Sequence, residues 1–129
     1  MAKDIQRFPE VSAIEETLKE YDQAFALCSG LFEAKTSDYG TAWRILRPSS
    51  LTDQLFIKAN RIRTIQETEE SKVDEGIESE FIGIVNYSLM AIIQLGLPSD
   101  YPMELPALDA IDRYHSAFNE TRDLMIRKN

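Results

Sequence analysis

Apolar residues recur along this chain at helical spacing and nowhere alternate as they would in a strand. Over residues 10–36, Ile14, Leu18, Tyr21, Phe25, Cys28 and Phe32 follow at intervals of four and three, which draws one seam along one helix face. Ser12 and Glu15 have capping-box spacing at its start. Residues 37–50 break the pattern. Ser37-Asp38-Tyr39-Gly40 reads as a turn with Gly40 free to take positive φ, and Thr41 to Leu46 reads as a helical turn presenting Trp43 and Arg44. Pro48 then disfavours helix at Arg47. A second helix is predicted over 51–69, capped by Ser50, with Leu51, Leu55, Ala59 and Ile62 as its buried stripe. A third over 74–96 is apolar almost all round, which predicts the most buried helix, central in its bundle or covered by a partner chain. Asn86 inside it needs hydrogen-bond partners, expected from the 38–44 loop or the second helix, and Gly83 reads as room for a close helix crossing. Pro98, Pro102 and Pro106 make a stiff linker, and a last helix over 107–128 lines up Ile111, Tyr114, Phe118 and Met125. The fold class is all-α, an antiparallel four-helix bundle.

The last helix repeats the first. Tyr21, Ala24, Phe25, Leu31 and Lys35 recur at an offset of 93 as Tyr114, Ala117, Phe118, Leu124 and Lys128, with Met125 for Phe32. The expected organisation is a first repeat unit over 1–96, a Pro-rich linker over 97–106, and the first helix of a second, unfinished unit over 107–129. The stripe on that last helix must be buried, on the first helix of its own chain or on a second chain; a homodimer is expected.

Composition changes the picture little. With 43% hydrophobic residues the chain can pack a core, and a single Cys28 excludes an internal disulfide, so a reducing, cytoplasmic compartment is the default and Cys28 reads as a small buried residue. No signal peptide is visible, and the apolar run from Phe81 to Leu97 is interrupted by Asn86, Ser88 and Gln94, which reads as a core helix, with no membrane partner. A net charge of −8 disfavours nucleic acid as a partner. The charge is uneven: residues 41–65 hold five cations against Asp53, and residues 66–80 hold seven acids against Lys72. Such neighbours can bind a phosphate with a divalent metal, or can be two faces that pair with each other.

The basic stretch carries the candidate chemistry. Arg47 precedes Ser49 and Ser50 at a helix N-terminus, Lys58 and Arg61 share a stripe and could close over an anion, and Tyr39 and Trp43 offer flat faces to a base, with Asp38 and Arg44 beside them. The competing reading is a tied loop in which Trp43 is a core plug, Asp38 caps a turn, and Arg44 and Arg47 bind carbonyls at helix ends. Glu75, Glu78 and Glu80 could hold Mg²⁺, or form the solvated, dipole-matched start of a helix. With one His115 and one Cys28 there is no Cys/His dyad and no zinc set.

The marks Asp38-Tyr39-Gly40, Trp43-Arg44, Ser49 to Asp53, Lys58, Arg61-Ile62, Glu75-Gly76-Ile77 and Asn86-Tyr87 resemble the bacterial and phage family called nucleotide modification associated domain 1. The resemblance implies tandem units, each with such a loop. Through its helical layout it is also similar to MazG-like all-α nucleotide pyrophosphohydrolases, which hold Mg²⁺ with Glu-x-x-Glu on one helix and Glu-x-x-Asp on another. This chain has no core-facing Glu-x-x-Glu on the second helix, and Gly83 stands three residues after Glu80. The expectation is therefore a nucleotide- or phosphate-binding helical domain built on Asp38, Tyr39, Trp43, Arg44, Arg47, Ser49, Ser50, Lys58, Arg61 and Asn86, at most a pyrophosphohydrolase and inactive as it stands. The alternative is a helical interaction module with no small-molecule ligand.

Overall fold

The computed structural model describes residues 2–68 and 73–128, with side chains from 13 to 68 and from 76 to 128. Four helices form: α1 (Ala2–Tyr39), α2 (Pro48–Thr68), α3 (Val73–Gly96) and α4 (Ala107–Lys128), with a short 3-10 turn at Ala42–Ile45 and no strand among the described residues. The periodicity of the sequence located α3 and α4 to within a residue. α1 begins earlier than expected, so Ser12 falls inside it instead of capping it, and the Ser12 side chain lies outside the described residues. α2 also starts early, at Pro48. Proline suits the first helical turn, where its missing N–H costs nothing, and the Arg47 carbonyl accepts from the N–H groups of Ser50 (2.9 Å) and Leu51 (3.2 Å). Ser50 is thus inside the helix and does not cap it.

α2 folds back on α3 as an antiparallel hairpin: Lys58 reaches Gly83 and Glu80, and Ile65 lies against Gly76. α1 and α4 form the second antiparallel pair, tied by Arg122 to Asp22 at 2.8 and 3.0 Å and by His115 to Glu33 at 2.8 Å. α3 touches α1, α2 and α4. The core joins Phe32 of α1, Trp43, Leu89 and Ile93 of α3, Leu105 of the linker, and Ala110, Tyr114, Ala117 and Phe118 of α4. The stripe expected on α4 is therefore covered largely inside the chain.

α3 is central and has fewer exposed positions among its described residues than any other helix, as expected, but it is not covered all round. Asn86, Leu89 and Ile93 are buried, whereas Phe81 is 52% and Leu95 71% exposed. A helix apolar on all sides needs neighbours on all sides, and only three are present. By length and composition Gly76–Gly96 could also cross a membrane, a test that a core helix passes too. Gly83 accommodates the stem of Lys58 and no helix backbone: a Cβ there would meet Lys58 Cε at 2.6 Å.

Candidate functional site

The loop between α1 and α2 is shaped by Gly40. Its φ of +68° turns the chain while its N–H donates to Thr36 O at 2.9 Å, closing α1. The 3-10 turn follows, with Arg44 N–H on Thr41 O and Leu46 N–H on Trp43 O, both at 3.0 Å, and it buries Trp43 and Arg44. Trp43 lies 6.4 Å from the Phe32 ring. The Arg44 guanidinium donates to Gln94 Oε1 of α3, to Pro102 O at 3.1 Å and to Tyr101 O at 3.4 Å. Gln94 answers with its Nε2, donating to the carbonyls of Arg44 and Leu46 at 2.9 Å. The Thr41 hydroxyl donates to Leu105 O, also at 2.9 Å. These bonds clamp the loop to α3 and to the proline-rich linker. Arg44 is a strut here, as the tied-loop reading had it, and its charge is spent on carbonyls and an amide. Gln94, which holds both ends of the clamp, was visible in the sequence only as a polar interruption of an apolar helix.

Beside this clamp a cleft of about 380 Å³ opens between the end of α1, the 3-10 turn and α3. Phe32, Tyr39, Trp43 and Tyr87 give it aromatic walls, Asn86 lies on its α3 side, and Lys35 is its one basic lining residue. Trp43 Nε1 is buried with no acceptor among the described residues, so the indole offers the cleft a ring face and no open donor. Of the residues singled out from the sequence, Tyr39, Trp43 and Asn86 line the cleft. Phe32, Lys35 and Tyr87 join them; Phe32 had drawn notice as a member of the first helix's seam and of the repeat, and Lys35 as a member of the repeat.

The expected anion grip does not assemble. Lys58 Nζ and Arg61 Nη1 both lie 3.4 Å from Glu80, one on each carboxylate oxygen, and Lys58 Nζ stands 5.6 Å from the Tyr87 ring centre. Arg47 is exposed and sits eleven residues before Lys58, about 16 Å along the helix axis, too far to share one phosphate. The N–H of Ser50 is already bonded to Arg47 O, and Ser49 and Asp38 are exposed. The acidic and basic segments thus pair with each other where Glu80 is concerned. The metal set does not form either: Glu80 is held by two cations, Glu78 is exposed, the Glu75 side chain lies outside the described residues, and no group of three His, Cys, Asp or Glu side chains with metal-binding geometry occurs among those described.

Asn86 joins three helices. Its Nδ2 donates to Cys28 O on α1 at 3.1 Å, and its Oδ1 accepts from the Tyr114 hydroxyl on α4 at 2.7 Å. It is buried and paired as the sequence required, but its partners are α1 and α4, not the loop or α2. Burial pushes the Tyr114 phenol well above its usual range, so it stays a neutral donor. Burial pushes the Cys28 thiol up as well, which suits a packed residue and not a nucleophile.

No curated protein and no solved structure matches the chain. Residues 35–95, which run from the last turn of α1 through the loop and α2 to the end of α3, match the model of the family described as nucleotide modification associated domain 1.

Proposed function

We propose that the cleft between α1, the 3-10 turn and α3 binds a nucleotide or nucleoside by its base, in a helical domain that serves nucleotide modification. The observation that carries this is the aromatic lining from Tyr39, Trp43 and Tyr87, all within the segment that matches a nucleotide-associated family. Its volume falls in the range of small-molecule sites, and aromatic faces hold bases of any sequence by stacking. Phosphates contribute little to this reading, because Lys58 and Arg61 pair with Glu80 away from the cleft and Lys35 is the one cation among its described lining residues. A MazG-like hydrolytic role has only the helical layout behind it.

Trp43 is the sole tryptophan, so its fluorescence reads the cleft directly. Titration with nucleosides and their monophosphates, with and without Mg²⁺, is expected to give saturable quenching. Affinity should differ by no more than a few-fold between nucleoside and nucleotide and should survive Lys58→Ala. Absence of saturable quenching across the common bases would discard the reading. An interaction module without a ligand then takes its place, a second reading that the local pairing of Arg44, Lys58 and Arg61 favours.

A further inference from the structure

The repeat in the sequence is also a symmetry in the structure. Phe25 and Phe118 are counterparts at the offset of 93, and they stack on each other. Tyr21 meets Phe118 with ring centres 5.3 Å apart, and the counterpart contact, Tyr114 with Phe25, recurs at 6.1 Å. A residue that meets its own counterpart, flanked by reciprocal contacts, is the pattern of a two-fold axis between like surfaces. α1 and α4 therefore pack about a pseudo-dyad that passes between Phe25 and Phe118.

One side of that dyad is occupied. α3 lies against the pair and fixes itself through Asn86, which takes Cys28 O from α1 and the Tyr114 hydroxyl from α4. The dyad maps Cys28 onto Thr121 and Tyr114 onto Tyr21. The other side therefore holds the same two groups with the helices exchanged: a helical carbonyl at Thr121 and a phenol at Tyr21. The Tyr21 hydroxyl has no hydrogen-bond partner among the described residues. Both residues line an apolar groove of about 350 Å³ beside α3, whose floor is Phe25 and Phe118 and whose wall is Ile84, Val85 and Ile92 of α3 itself. Ile92 is 47% exposed, and Phe81 beyond it 52%, so the apolar side of α3 that faces this groove is unfinished.

We propose that this groove is the seat of a second α3-type helix: one apolar on most faces and carrying a carboxamide that donates to Thr121 O and accepts from the Tyr21 hydroxyl, as Asn86 does across the dyad. Seating it completes a core of two α1-type and two α3-type helices and covers the open side of α3. The proposal is independent of the ligand reading, since the groove and the aromatic cleft share no lining residue.

A labelled peptide of residues 73–96, titrated into the full chain and followed by fluorescence anisotropy, tests it. The expected result is saturable one-to-one binding, weakened about tenfold by Asn86→Leu in the peptide, since a hydrogen bond left unmade beside a buried hydroxyl costs about that much. Tyr21→Phe in the protein should weaken the native peptide by a similar factor and leave the leucine peptide unchanged, which separates a specific seat from apolar adhesion. Lack of saturation, or equal affinity of the two peptides, overturns the proposal. So does self-association of the chain that excludes the peptide, which would make a second copy the occupant, or competition by a small apolar ligand with no response to either substitution.

Discussion

Asn86 sets the stakes at the scale of one residue, because an amide in the middle of an apolar helix is either fully paired or costly. Asn86→Leu removes the acceptor from a phenol that is 0% exposed. The expected loss is about 1–3 kcal/mol, read as a lower urea midpoint with unchanged helix content. Tyr114 also gives the fold a pH dependence with a definite sign. Burial raises its pKa in the folded state above the ordinary phenol value of 10.0. Its contribution is therefore full below pH 10, where both states are neutral, and is lost as the pH rises and the unfolded phenol ionises first. Tyr21 shifts the same way, so Tyr114→Phe should flatten part, not all, of the alkaline loss of stability. That Asn86 would be buried and paired was legible, since burial follows from the apolar pattern around it. Its partners were not. Cys28 contributes a backbone carbonyl, which every residue has, and Tyr114 read as one more member of a hydrophobic stripe.

At the scale of elements, spacing reveals which side chains share a face, and only the packed register reveals what faces them. Lys58 and Arg61 were rightly placed on one stripe, yet the stripe looks at Glu80 because the α2–α3 hairpin brings residue 58 level with 80 and 83. A phosphate site seemed reasonable from α2 alone. The carboxylate that fills it is supplied by another helix, at a separation no local pattern encodes. Glu80→Ala should leave the mostly covered Lys58 ammonium without its counter-ion and cost about 1–2 kcal/mol, between the values of exposed and buried pairs. Gly83→Ala probes the same contact from below. Its methyl must displace the far end of Lys58 and so break the pair, while alanine improves the helix by about 1 kcal/mol. The two changes should be non-additive: near neutral in the native chain, Gly83→Ala should stabilise the Glu80→Ala variant by most of that amount. Urea denaturation of the four proteins in a double-mutant cycle gives the coupling.

For the whole molecule, the repeat was the most consequential pattern legible in the sequence, and it left two covers open for the stripe of α4: α1 of the same chain or a second chain. The expectation of a dimer had rested on the need to cover the stripe of α4, and the chain itself meets that need through Tyr21, Phe25 and Phe32. Which of two covers would apply turned on whether the linker could return α4 to α1. The ties from Arg44 and Thr41 to Tyr101, Pro102 and Leu105 do this, and they depend on long-range geometry. It follows that α1 to α3 lack a finished core of their own. α4 supplies Ala110, Tyr114, Ala117 and Phe118 to the shared core, and with Tyr114 the donor that satisfies Asn86 Oδ1. A chain ending after residue 106 is expected to keep much of its helical far-ultraviolet dichroism, lose the near-ultraviolet signal of Trp43 and its aromatic neighbours, and bind an apolar dye, as loosely packed helical states do. If the shortened chain instead unfolds cooperatively at the midpoint of the full chain, residues 1–96 are a self-sufficient unit and α4 is an appendage. If it loosens as expected and regains fixed packing when a peptide of residues 107–128 is added, the role of α4 as a stand-in for a repeat partner is established directly.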